Sequence, residues 1–240
     1  GSNTLISRLF GLIRDIVIAN SFGASAGVDG FLVAFRLPNF LRRLFAEGAF
    51  SQAFIPILAD YQKNHSLEDV RDFCAHVSGV LGLSVLLVSI AGVLGAPFFV
   101  MIFAPGFGGE PDKFALTVEM TRLTFPYLFF ISLAGFASSV LNAYGRFGVP
   151  AFVPVLLNWC LIAATLWLSP YMEEPVTALA WGVFVAGVVQ LIFQIPFLMR
   201  LGLLVRPRFQ WRHSGVARII RIMVPGIIGV SDTPVSNPID

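Results

Sequence analysis

The run FCAHVSGVLGLSVLLVSIAGVLGAPFFVMIFA, Phe73 to Ala104, contains no Asp, Glu, Lys or Arg. A bilayer core about 30 Å thick takes roughly 20 apolar residues to cross as a helix, so this run predicts a membrane span. Five more stretches share its character: 4–22, 29–60, 113–144, 150–169 and 175–201. A seventh begins near Ile219 and continues to Val230. The polar residues Ser231 to Asp240 follow, and Pro234 and Pro238 cannot extend a helix. The expected fold is all-α, a polytopic transmembrane helix bundle of about six spans plus the start of a seventh.

Composition agrees with that expectation. The apolar set makes up 56% of the chain and charged residues 12%, with a mean hydropathy of +0.80. Soluble domains carry about 25% charged residues, so water could not cover this surface and lipid can. Four parts are expected: residues 3–204 as a six-helix transmembrane lobe, 205–221 as a basic cytoplasmic connection or amphipathic segment, 222–231 as the start of a seventh helix, and 232–240 as an atypical polar tail. Within 29–60, Pro38 is expected to kink or break the helix.

Loop charge sets the orientation. Loops 23–28, 105–112 and 170–174 hold Glu110, Asp112, Glu173 and Glu174 and no Lys or Arg. The opposite side carries Arg146 and the basic run Arg200, Arg206, Arg208, Arg212, Arg218 and Arg221. The positive-inside rule then places the N-terminus in the cytoplasm.

Enzymatic chemistry finds little support. His65, His76 and His213 are scattered along the chain and form no ligand or triad pattern, and Cys74 and Cys160 lie far apart in apolar context. Nucleophile elbows, phosphate-binding glycine loops and paired carboxylates are missing from the sequence. The pattern calls for no cofactor, no metal and no nucleic-acid partner.

Charge inside the apolar segments is the informative signal. Arg8, Arg14, Arg36, Arg42 and Arg43 all fall in the first two segments. At roughly 2.5–3.5 kcal/mol each at the bilayer centre, five would cost about 12–17 kcal/mol facing lipid. They must therefore snorkel to an interface or face a wet cavity. Arg14 and Asp15 lie mid-helix, which favours a cavity or an ion pair. Asp29 is either an N-cap for the second helix or a counter-charge at the outer mouth. Glu119 and Arg122, three apart, predict a local pair. Asn142, Asn158, Gln190 and Gln194 predict interhelical hydrogen bonds. Because guanidinium forks match phosphate bidentately and stay charged, an arginine-lined cavity suits a phosphate- or pyrophosphate-bearing substrate.

The run from Asp29 to Pro56, DGFLVAFRLPNFLRRLFAEGAFSQAFIP, resembles the second-helix signature of the MurJ (MviN) lipid II flippase family, in the MOP exporter superfamily. Ser7-Arg8 with Gly11 to Asp15, Ala104 to Phe107, Asn142 to Asn158 with Arg146-Phe147, and Val224 to Ser231 add to the likeness. The resemblance implies one lobe of a two-lobed transporter of fourteen helices around a central cavity. It implies a transporter rather than an enzyme, in the bacterial cytoplasmic membrane, that moves lipid II from inner to outer leaflet by alternating access. Its implied partners are lipid II, membrane lipids and a C-terminal lobe lying outside this chain, which on that view is a fragment. The family's cavity arginines fall on Arg8, Arg14 and Arg42, its acidic residue at the second helix on Asp29, and Glu47 sits in the same motif. Another exporter of lipid-linked oligosaccharide, or a membrane scaffold that transports nothing, are the competing expectations.

Overall fold

A computed structural model describes residues 2–230, without the side chains at 26, 45–47 and 226–230. Helices account for nearly all of it: α1 (Ser2–Phe22), α2 (Ala26–Arg42), α3 (Phe50–Asn64), α4 (Leu67–Leu94), α5 (Ala96–Phe103), α6 (Pro111–Ala143), α7 (Gly148–Ala163), α8 (Thr177–Arg200) and α9 (Ser214–Val230). Local chemistry sets several of the ends. The Ser25 hydroxyl accepts from the Val28 amide and starts α2. Ser66 and Asp69 exchange hydrogen bonds in a capping box that starts α4. Gly145, at φ +74°, ends α6 in the left-handed conformation that a side chain would resist.

Among the described residues, four helical stretches are long and apolar enough to cross a membrane: Leu67–Leu94, Pro111–Ala143, Gly148–Tyr171 and Thr177–Arg200. The first two expected spans are helical but fall outside that set. α1 carries Arg8, Arg14 and Asp15 along its 21 residues, and the segment expected at 29–60 is divided into α2 and α3, of 17 and 15 residues. The outer face of α4 and α5 presents Leu83, Leu86, Leu87, Ile90, Leu94, Phe98 and Met101. An apolar patch of that extent marks a surface for contact with membrane or protein.

α6 is the hub and packs on α2, α4 and α8; α8 in turn packs on α7, and α7 on α1. One core gathers Phe31 and Ala34 of α2 with Met120, Tyr127, Leu161, Leu179 and Val183. Ile18 and Phe22 of α1 pack against this core. A second core, around Phe50, Phe54, Phe73 and Phe136, takes in Val216 and Ile219 of α9.

Pro38 does not break its helix. α2 runs through it to Arg42, and the interruption falls at 43–49, a wide turn in which Gly48 leaves helical geometry at φ −94°, ψ −106°. Pro38 has no N–H to give the Ala34 carbonyl, four residues back. The Thr124 hydroxyl of α6 donates to that carbonyl at 2.8 Å, so the proline's missing bond becomes an attachment between helices.

The expected polar bridges form at three of four positions. Gln190 Nε2 donates to the Val153 carbonyl at 2.9 Å, Gln194 Nε2 to the Ala134 carbonyl at 3.0 Å, and Asn158 Nδ2 to the Ser7 carbonyl at 3.4 Å. Asn142 is instead exposed at the end of α6. The pair expected between Glu119 and Arg122 is replaced by an Arg122 Nε bond to the Val93 carbonyl of α4 at 3.4 Å. Helix–helix contact here competes successfully with a weak pair on one helix face.

Candidate functional site

Residues 23–25 join α1 to α2, and distances along the two helices are counted from that joint. At 1.5 Å per residue, Arg14 and Arg36 lie about 12–15 Å from it, and Arg8 and Arg42 about 21–24 Å. Ile18 and Phe22 of α1 pack against the core that holds Phe31 and Ala34 of α2. The two helices otherwise take different neighbours, α1 leaning on α7 and α2 on α6.

Arg14 is the most firmly built of the candidates. Its Nη1 donates to Asn158 Oδ1 of α7 at 2.9 Å, while Nε and Nη2 both donate to Asp15 Oδ1, at 3.0 and 2.8 Å. Asn158 is buried, and its amide nitrogen reaches the α1 backbone at Ser7. One asparagine thus fixes both the helix and the guanidinium. The Arg14 side chain stays 29% exposed and the Asp15 side chain 64%, so the pair is anchored but open to an aqueous ligand. Asp15 therefore serves Arg14 rather than Arg8, seven residues away on the same face.

Arg42 is half-buried, and its Nε donates to Asn39 Oδ1 at 3.1 Å. Its neighbour Arg43 is exposed, as are Arg8 and Arg36. Asp29 is not the N-cap of α2, because Ser25 takes that role; Asp29 stands exposed in the first helical turn, where a carboxylate complements the helix dipole. The Glu47 side chain lies outside the described residues, as does the tail at 232–240.

The structure thus places Arg8, Arg14 and Asp29 on exposed or part-exposed faces of the first two helices and leaves Arg42 at the end of α2. Sequence reasoning named Asn158 as an interhelical partner without assigning it to Arg14. It missed Thr124 altogether, since a threonine in an apolar helix carries no signal until Pro38 is seen opposite. It also read the histidines as scattered, whereas His76 and His213 meet at Asp72, with reactive atoms within 4.8 Å of one another. Their 137-residue separation hides that meeting from any local motif.

The family profile described as "Lipid II flippase MurJ" matches residues 18–240. A Haemophilus influenzae protein named "Probable lipid II flippase MurJ" is 46% identical over 99% of this chain and 48% of its own length. A Burkholderia cenocepacia "Lipid II flippase MurJ" is 45% identical over 95% of this chain and 45% of its own. The solved structure "Lipid II flippase MurJ, inward closed conformation" superposes with a TM-score of 0.75 at 24% identity, over 94% of this chain and 46% of that one. The chain spans about half the length of the relatives it matches. Its all-helical fold, its apolar spans and these likenesses make it a bacterial inner-membrane protein of a transporter family rather than an enzyme. The chain belongs to the lipid II flippase MurJ family.

Proposed function

We propose that this chain is the first lobe of a flippase that carries lipid II from the inner to the outer leaflet by alternating access. The observation that carries the proposal is Arg14, a guanidinium locked by Asp15 and Asn158 on a helix that must meet either lipid or a wet cavity. Such a preset fork loses little freedom on binding pyrophosphate. In this proposal Arg8, Arg14 and Arg42 hold the pyrophosphate and sugar-peptide head group. Asp29 takes part in gating or charge coupling at the outer mouth, and Glu47 joins the cavity wall. No phosphate bond is cleaved.

The lobe comprises residues 3–204, the basic connection 205–221, and the start of the seventh helix 222–231. The N-terminus lies in the cytoplasm, supported by the basic run from Arg200 to Arg221. The remaining partners are membrane lipids and a second lobe that completes the cavity.

The test is rescue of flippase-depleted cells by the longer gene carrying Arg14→Ala or Arg42→Ala, after membrane insertion of each variant is confirmed. The expected result is loss of viability with lipid II accumulating in the inner leaflet. Normal growth of both variants would return the arginines to interfacial anchoring and defeat the proposal.

A further inference from the structure

The stretch between α8 and α9 is strapped to the start of α4. The Arg208 amide donates to the Ala75 carbonyl at 2.8 Å, and Gly79 makes room for the strap, because a Cβ there would overlap the Arg208 carbonyl. The strap ends at His213, whose ring has two distinct partners. Nδ1 accepts the Gly215 amide at 3.2 Å, and Nε2 lies 3.1 Å from Asp72 Oδ2. A backbone N–H can only donate, so Nδ1 is unprotonated, and the ring hydrogen on Nε2 is donated to Asp72. The Ala217 amide bonds the His213 carbonyl at 3.0 Å. His213 thus occupies the N-cap of α9, with its neutral imidazole in place of the usual hydroxyl or carboxylate.

His76 completes the arrangement. Its Nδ1 donates to the Asp72 backbone carbonyl at 2.8 Å, and its ring stacks on His213 with centroids 4.4 Å apart. The three side chains are of metal-binding types. Coordination by His213 Nε2, however, would require a proton on Nδ1, which faces an N–H donor. The network is complete with protons alone.

We infer that His213 is a proton-sensitive cap that holds the first turn of α9 only while its ring is neutral. A second proton turns Nδ1 from acceptor into donor, facing the Gly215 N–H. It also sets a cation at the positive end of the α9 dipole. The Nε2–H bond to Asp72 exists in both states, so the change falls on the cap. Asp72 and His76 touch the ring, Arg212 precedes it in the chain, and further charged groups stand on the elements packed nearby. On α4 are Asp72, His76, Glu68 and Arg71, and on the strap Arg206 and Arg208, the latter 3.7 Å from Asp72 Oδ1. α3 contributes Tyr61 and His65, which stack on one another. On α9, Arg218 is engaged by Asp60 at 2.9 Å. Arg208 already draws on the Asp72 charge, which weakens the pull that a protonated ring would feel toward that carboxylate.

This inference does not depend on what the protein transports. Its test is amide hydrogen exchange on the solubilised longer protein containing this chain, read for residues 214–217 and corrected for intrinsic rates. Moving from about pH 8 to about pH 5.5, across the range where imidazoles titrate, should speed exchange there about tenfold, the scale of a lost cap. His213→Asn keeps a side-chain acceptor and cannot take up the proton, so its exchange should be slow and independent of pH. His213→Lys, a permanent donor, should exchange fast at both. Wild-type protection that does not change with pH, or a His213→Asn variant that still loosens in acid, would overturn the inference. Those two measurements decide it even if the lysine variant fails to fold.

Discussion

The two arginine-bearing helices are held in opposite ways. α2 is clamped to α6: Gly30 lies against Thr117, Ala34 is buried, and the Thr124 hydroxyl occupies the carbonyl that Pro38 leaves free. α1 buries none of its residues, presents Leu5, Leu9, Leu12 and Ile16, and is tied to α7 through Asn158. Small residues and backbone-directed hydrogen bonds fix α2 as part of the lobe's body. α1 is a more exposed arm that rests on α7 and is tied to it by one buried asparagine. A substrate that engages Arg14 and Arg42 together would bridge a lightly packed helix and a clamped one.

That contrast can be broken most strongly at Gly30. A Cβ there would sit 2.7 Å from Thr117 Oγ1, and that hydroxyl is already committed to the Lys113 carbonyl at 2.7 Å. Gly30→Val should therefore cost about 2–3 kcal/mol, measured as a lower midpoint of thermal unfolding in detergent. An unchanged midpoint would mean that α2 is not clamped as described.

Thr124 offers a finer cut. Thr124→Val should cost about 1–2 kcal/mol by orphaning the Ala34 carbonyl. In a Pro38→Ala background the new amide serves that carbonyl, so the same change should cost almost nothing. Additive effects in this double-mutant cycle would refute the link between proline and threonine.

On α1 the sign reverses. The nearest atom to a Cβ at Gly11 is Asn158 Nδ2 at 3.9 Å, an ordinary contact. Gly11→Ala should be neutral or stabilise by about 0.5–1 kcal/mol, the helix-propensity gain. Destabilisation in the same unfolding assay would show that α1 is packed on α7 more tightly than its exposed surface indicates.

Much of this was open to sequence reasoning. Apolar runs of span length follow from the cost of bare backbone and charge in hydrocarbon, and the helices from 67 onward form where those runs lie. The arginine cluster was equally visible, because charge in an apolar segment stands out against its neighbours. The misreadings have a common cause. Pro38 was expected to kink or break α2; the rule considers one helix alone, and the hydroxyl that lets α2 continue comes from a residue 86 positions away. Asp29 was a plausible cap until Ser25 took the position four residues earlier. His76 and His213 looked scattered because 137 residues of sequence separate them and only the packing of α9 on α4 brings them together.

By itself, then, the sequence determined the class of environment, the helical content and which residues are costly in it, since these depend on transfer free energy and local periodicity. The tertiary structure alone decided which costly residues are satisfied and by whom. Arg14 gained Asn158, Ala34 gained Thr124, and Asp72 gained His213. A hydrogen bond needs its atoms within about 3 Å in a favourable direction, and only the packing of helices remote in sequence brings them there.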